Sequence, residues 1–167
     1  MYIAHPWPPL YNERSKILIL GTMPSPKSRA YGCYYGNPQN CFWITVARVL
    51  AQQEPLPDIK SRTAFLLDNR IALWDVLYSC DIEGAADSSI AKPVAHHFSP
   101  LLAKTQISAI FTTGRMATEL FNKLCAKEAG MEAIYLPSTS PANRAAQIKP
   151  AFIRQWEQLS RALADTL

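Results

Sequence analysis

The chain has 167 residues, a length that suits one domain better than two, and residues 1–167 are read as a single unit. Hydrophobic residues make up 49% and charged residues 18%, enough for a sizeable core and against wholesale disorder. Seventeen Lys and Arg against 13 Asp and Glu leave a net charge of +4, which permits a phosphate-bearing partner without demanding one.

In chain order, Pro6 to Pro9 form a short Pro-rich arm. Lys16-Ile17-Leu18-Ile19-Leu20 reads as a strand that stops at Gly21. A helix is expected over Asn40 to Gln53, with Phe42, Val46, Val49 and Leu50 on one face, and Pro55-Leu56-Pro57 is an ordinary loop. After a polar turn at Asp68-Asn69-Arg70, Ile71 to Leu77 reads as a second strand. Ile107 to Thr112 is a third, stopping near Gly114. Met116 to Lys127 reads as a helix with Leu120, Leu124 and Cys125 inward and Gly130 as its stop, and Ala133 to Leu136 is a fourth strand ended by Pro137. Phe152, Trp156, Leu159 and Leu163 make one stripe of a last helix opened by Pro150. Continuous apolar strands alternating with helices predict a three-layer α/β/α fold around a central, mainly parallel four-stranded sheet.

No apolar run approaches the ~18–20 residues that span a bilayer. Met1-Tyr2-Ile3-Ala4-His5-Pro6 lacks the basic and apolar regions of a signal peptide, so the expectation is a cytoplasmic protein with no membrane partner. Cys33, Cys41, Cys80 and Cys125 show no C-x-x-C spacing and read as reduced, mostly buried thiols. No metal-ligand set is visible, and no cofactor is expected. His96 and His97 read as an exposed loop pair, with contact to a bound partner as the alternative for a loop.

In an open parallel sheet the ligand sits beyond the carboxyl ends of the strands. That rule selects 21–40, 75–97, 112–115 and 137–144. The first of these, a loop of about twenty residues, closes no P-loop and no dinucleotide-binding fingerprint. Its hydroxyls, cations, amides and aromatic rings suit stacking a flat ring while holding phosphates. Its Pro residues and rings fit a structural loop as well. Ser138-Thr139-Ser140, followed by Pro141-Ala142-Asn143-Arg144, offers a phosphate grip, although the same residue types make plain turns.

Four blocks stand in order: G-T-M-P-S at 21–25, Y-Y-G-N-P-Q-N-C-F-W at 34–43, A-L-W-D-V at 72–76 with S-C-D-I-E-G at 79–84, and L-P-S-T-S-P-A-N at 136–143. Together they resemble the uracil-DNA glycosylase superfamily, in particular its hypoxanthine-DNA (deoxyinosine) glycosylase branch. The resemblance implies a monofunctional glycosylase, expected as a monomer, that flips a deaminated base out of DNA. It also shows departures. Better-known members carry an acidic or amide residue just before the Pro of the first block, where this chain has Met23. They open the last block with His, where this chain has Leu136. In the hypoxanthine branch the catalytic role falls to an Asn of the aromatic block, which is Asn40 here. Asn40 is read either as the residue that orients the attacking water or as a cap of the following helix.

The resemblance further places Phe42 as the ring that stacks on the flipped base, with simple packing as the alternative; Tyr34, Tyr35, Gly21 and Thr22 stand around it, and Trp43, on a different face of the helix, is read as core. Asp75 stands where relatives read the base. A carboxylate there accepts from N1–H of hypoxanthine and repels adenine, although it also accepts from N3–H of uracil; a strand-end cap is the structural alternative. Ser25, Lys27, Ser28, Ser138, Thr139 and Ser140 are read as phosphate binders, with Pro141, Asn143 and Arg144 where relatives insert a wedge. A uracil or mismatch-specific uracil-DNA glycosylase, or a catalytically silent DNA-binding member, stays open beside hypoxanthine excision.

Overall fold

The structure is a computed structural model that describes residues 1–165. Strand β1 (Tyr2–Ala4) precedes the arm, and β2 (Ile17–Gly21) enters the central sheet. Helices α1 (Pro26–Tyr31), α2 (Phe42–Val49) and α3 (Ile59–Asp68) lead to β3 (Ile71–Asp75) and then directly to β4 (Leu77–Asp81). After β5 (Ala91–Ala95) come α4 (Ser99–Ala103), β6 (Ala109–Thr113), α5 (Arg115–Leu124), α6 (Ala126–Ala129) and β7 (Ala133–Leu136). Three helices, α7 (Arg144–Gln147), α8 (Pro150–Trp156) and α9 (Gln158–Ala164), follow.

The central sheet has the order β3-β2-β6-β7, and every neighbouring pair is parallel. Its strands are apolar throughout because both faces are covered. Ile17, Ile19, Leu73 and Phe111 pack against α2, α3, α8 and α9. Leu18, Leu20, Ala72 and Ile110 pack against α4 and α5. The three-layer α/β/α architecture expected from the strand–helix alternation is the observed one.

The second predicted strand is a correction. Ile71 to Leu77 is not one strand: β3 ends at Asp75, and Leu77 begins β4 in a separate antiparallel sheet of order β1-β4-β5. The Val76 and Leu77 N–H groups donate to the carbonyls of Gly21 and Thr22 at 2.8 and 3.1 Å, which turns the chain out of the parallel sheet. Hydrophobic pattern cannot register that turn, since the chain is buried on both sides of it. The segment after β2 is also more ordered than a loop. Ser25 caps α1, Pro26 fills its first turn, and Gly32 ends it at φ 79°.

One helix face and one helix's continuity differ from expectation. In α5 and its cap the buried residues are Ala117, Phe121 and Cys125, and Leu124 is 41% exposed. The last helix is divided at Glu157, although Phe152, Trp156 and Leu159 still form one buried stripe across the junction. Trp156 is fully buried, lies edge-on to Phe42, and donates its indole N–H to the Pro137 carbonyl at 3.0 Å. Trp156→Phe removes ring volume and strands a buried carbonyl, so the unfolding free energy should fall by about 2–3 kcal/mol. A urea titration should show this as a lower midpoint with an unchanged m-value.

Candidate active site

A cleft opens beyond the carboxyl ends of the parallel strands. Gly21, Thr22, Met23 and Ser25 border it after β2, Asp75 after β3, Thr113 after β6, and Ser138 to Pro141 after β7. Its volume of about 210 Å³ falls below that of common drug-sized sites, so it suits one planar ring rather than an extended ligand.

The two hydroxyl-bearing loops are tied to each other. The Cys41 N–H donates to the Thr139 carbonyl at 3.1 Å, and Arg144 Nη2 reaches the Gln39 carbonyl at 3.4 Å. Asn40 borders the cleft, and its Oδ1 accepts from the Phe42 N–H at 2.9 Å. The side chain therefore takes up the first N–H of α2 from one residue before the N-cap Cys41, and the second lone pair of the amide oxygen is left for another donor. Ser25 Oγ accepts from the Ser28 N–H and donates to Ser28 Oγ, both at 3.1 Å. In the second loop, Gln147 Nε2 donates to the carbonyls of Ser138 and Ser140, and Asn143 Nδ2 also donates to the Ser138 carbonyl. Asn143 thus holds the loop in shape. Lys27 and Arg144 are exposed and stand outside the cleft lining.

The aromatic wall differs from expectation at one residue. Phe42 is fully buried and does not line the cleft; Tyr35 lies flat on it, with centroids 3.9 Å apart and planes at 10°. Tyr35 lies between Phe42 and the cleft, because Phe42 opens the inward face of α2. The phenol of Tyr35 meets Thr113 Oγ1 at 3.2 Å, and Tyr34 donates to the Pro8 carbonyl at 3.0 Å. Burial, aided by the Asp75 charge, pushes both phenols well up, so they act as neutral hydroxyls. Trp43 is a core residue, with its N–H on the Tyr34 carbonyl.

Asp75 is 4% exposed. Its Oδ2 lies 2.7 Å from His5 Nε2, a residue of the N-terminal arm that no sequence pattern had marked. Gly21 has to be glycine here, because a Cβ would lie 2.5 Å from Asp75 Oδ1 and 2.9 Å from the Tyr35 phenol. The His96–His97 reading needs correction. His97 is exposed, but His96 stacks on Trp74 at 3.7 Å and its Nδ1 meets the Asp75 carbonyl at 3.0 Å. The β4–β5 pairing brings it back over the strand end. Leu136, in place of the His of better-known members, is fully buried in the core, while Met23 borders the cleft. Among the described residues, no group of three His, Cys, Asp or Glu side chains could hold a metal ion, and no helix is long and apolar enough to cross a membrane.

Residues 8–160 match the family model of the uracil DNA glycosylase superfamily. The chain belongs to that superfamily. A hypoxanthine DNA glycosylase from Methanosarcina acetivorans is 36% identical over 143 residues, covering 85% of this chain and 89% of the relative. One from Methanosarcina barkeri is 32% identical over 139 residues, covering 83% and 87%. The solution NMR structure of a candidate uracil DNA glycosylase from Methanosarcina acetivorans superposes with a TM-score of 0.80 at 35% identity, over 98% of this chain and 99% of that one. The superfamily fold brings together Gly21, Thr22, Tyr34, Tyr35, Asn40, Asp75 and the serine loops, as the sequence blocks imply. It leaves Phe42, Lys27, Asn143 and Arg144 off the cleft wall and adds Asn37, Thr113 and Asp87 to it.

Burial holds the His96 imidazole down to about 4, against the raising effect of its bond to the Asp75 carbonyl, with His5 and His97 adding to the depression. In the unfolded chain the ring takes up its proton near 6.5, so stability should fall as pH drops from about 6.5 to about 4 and gain nothing from this group above that window. His96→Phe keeps a ring against Trp74 without a titrating group. Its melting temperature should vary less with pH across that window than the wild type's, as paired thermal melts would read.

Proposed function

We propose that the chain is a monofunctional DNA glycosylase that hydrolyses the N-glycosidic bond of a deaminated base flipped out of DNA, with hypoxanthine preferred. The observation that carries this reading is the convergence of Asn40, Asp75 and two hydroxyl-bearing loops on one small cleft at the carboxyl end of the sheet. The two relatives named hypoxanthine DNA glycosylase, aligned over 85% and 83% of the chain, support the choice of base.

Bond cleavage builds positive charge on the sugar and negative charge on the departing base. Asn40 orients the attacking water through its amide oxygen, the Phe42 N–H fixing that oxygen in place. A neutral amide is a poor base, but an oxocarbenium-like sugar needs a positioned water more than a strong one. Tyr35 presents the ring face to the base, with Phe42 behind it as support. Asp75 accepts from N1–H of hypoxanthine. Ser25, Ser28, Ser138, Thr139 and Ser140 hold phosphates near the flipped nucleotide, while exposed Lys27 and Arg144 meet the flanking backbone and Pro141 lies at the wedge. One copy of the chain supplies all of these groups, so a monomer suffices.

The direct test is a gel assay on 5′-labelled duplexes carrying a single inosine, uracil or mismatched thymine, followed by alkali. Strand scission strongest at inosine is expected. Scission strongest at uracil would move the chain to the uracil-specific reading, and none at all would make it a silent DNA binder. Asn40→Ala should lower the single-turnover rate on inosine at least about tenfold while leaving duplex affinity largely intact, since water orientation acts on the chemical step. Wild-type rates in that variant would remove Asn40 from catalysis.

Base choice is read through Asp75. A hydrogen bond to a charged group contributes roughly 1.5–3 kcal/mol, so Asp75→Asn should reduce inosine excision by about one order of magnitude or more. The amide can donate to uracil O4 while accepting from N3–H, so the inosine-to-uracil rate ratio should fall. A purely structural Asp75 would instead lower both rates together, in step with the melting temperature.

A further inference from the structure

We propose that His5 is a positioning residue for base selection: its bond to Asp75 fixes which carboxylate oxygen faces the cleft, and this orientation favours hypoxanthine over uracil. The inference rests on the glycosylase reading above and deepens it.

The pair is dry. The side chains of His5 and Asp75 are 1% and 5% exposed, with Nε2 and Oδ2 at 2.7 Å. His5 is ringed by Trp7, Tyr34, Trp74 and His96, at centroid distances of 6.1, 6.0, 6.4 and 5.0 Å. Its other nitrogen, Nδ1, lies 2.8 Å from the Trp7 carbonyl and 3.2 Å from the Trp7 N–H, so Trp7 backbone groups hold the far end of the ring. The backbone is pinned as well. The His5 N–H donates to the Tyr78 carbonyl at 2.7 Å, β1 pairs with β4 just before it, and Leu10 exchanges two 2.9 Å bonds with Leu73 just after the arm.

Anchoring the arm does not require such a pair. Two apolar side chains would serve as well, because a buried polar pair has to recover the desolvation of both partners. The orientation of Asp75 is what the pair provides. With Oδ2 held by the arm, Oδ1 lies over Gly21 at the cleft wall. The N1–H of hypoxanthine is flanked by the O6 carbonyl on one side and by C2–H on the other. A fixed carboxylate can accept from N1–H and keep its second oxygen on the C2–H side. The N3–H of uracil is flanked by carbonyls on both sides, so a carboxylate held in the plane of the base turns its second oxygen toward a carbonyl oxygen. Freed from His5, the carboxylate could rotate away from that clash, and discrimination would drop. The His5 donor also draws part of the carboxylate charge away from a base that is itself becoming negative.

The test measures single-turnover rates on inosine and uracil duplexes for the wild type, His5→Leu, His5→Gln, Asp75→Asn and the His5→Leu/Asp75→Asn double variant, with melting temperatures alongside. For His5→Leu the inosine rate should fall about tenfold and the uracil rate much less, lowering the ratio at least about fivefold. His5→Gln, whose amide nitrogen can reach Asp75, should recover most of that ratio. In the Asp75→Asn background, His5→Leu should change the ratio by less than about twofold, since the partner it orients is gone. Should His5→Leu fail to fold, His5→Asn, too short to reach Asp75, takes its place against His5→Gln. An unchanged ratio in His5→Leu, or an equal effect with and without the Asp75 carboxylate, overturns the inference and leaves the glycosylase reading standing. A wild type that releases no hypoxanthine overturns the reading itself, and this inference with it.

Discussion

A carboxylate with almost no exposed surface must be bonded, because an unpaired buried charge costs several kcal/mol. Asp75 sets that constraint at the end of β3, and much of the molecule is arranged around it. Its side chain takes a donor from His5 and its carbonyl meets Nδ1 of His96. Its other oxygen presses against Gly21, where any side chain would collide. To deliver His5 and His96, the chain needs the second sheet: β1 pairs with β4 and brings in the arm, and β5 pairs with β4 and returns His96. The small antiparallel sheet is therefore the scaffold of one side of the cleft.

The other side depends on backbone bonds between loops that the parallel sheet sets side by side. The Cys41 N–H on the Thr139 carbonyl fixes the start of α2 against the serine loop, and the Trp156 indole holds the Pro137 carbonyl from below. Asn40 sits on that junction, its amide oxygen already aligned by the Phe42 N–H. Leu136, at the strand end where better-known members carry a histidine, is turned into the core, and its neighbours pack against the aromatic ladder of Phe42 and Trp156. A histidine at that position would lie in this apolar packing and not at the cleft wall, which agrees with the proposal that Asn40 orients the water.

The fold layers and the four motif blocks were legible in the sequence. Buried parallel strands are apolar without alternation, and amphipathic helices repeat at 3.6 residues, so Ile17 to Leu20, Ala133 to Leu136 and the Phe152–Trp156–Leu159 stripe could be placed from local pattern. Gly21, Asp75 and the serine loop lie at strand ends and Asn40 in the long segment that follows β2, where ligand sites of open α/β sheets form, so their convergence was also foreseeable. The tertiary structure decided what depends on distant pairing. It divided Ile71 to Leu77 between two sheets, put Tyr35 rather than Phe42 at the cleft wall, and stacked His96 on Trp74. It also joined His5 to Asp75, seventy positions further along the chain. Local periodicity records only which way a side chain faces relative to its near neighbours; which distant group meets it is set by the closure of the sheets.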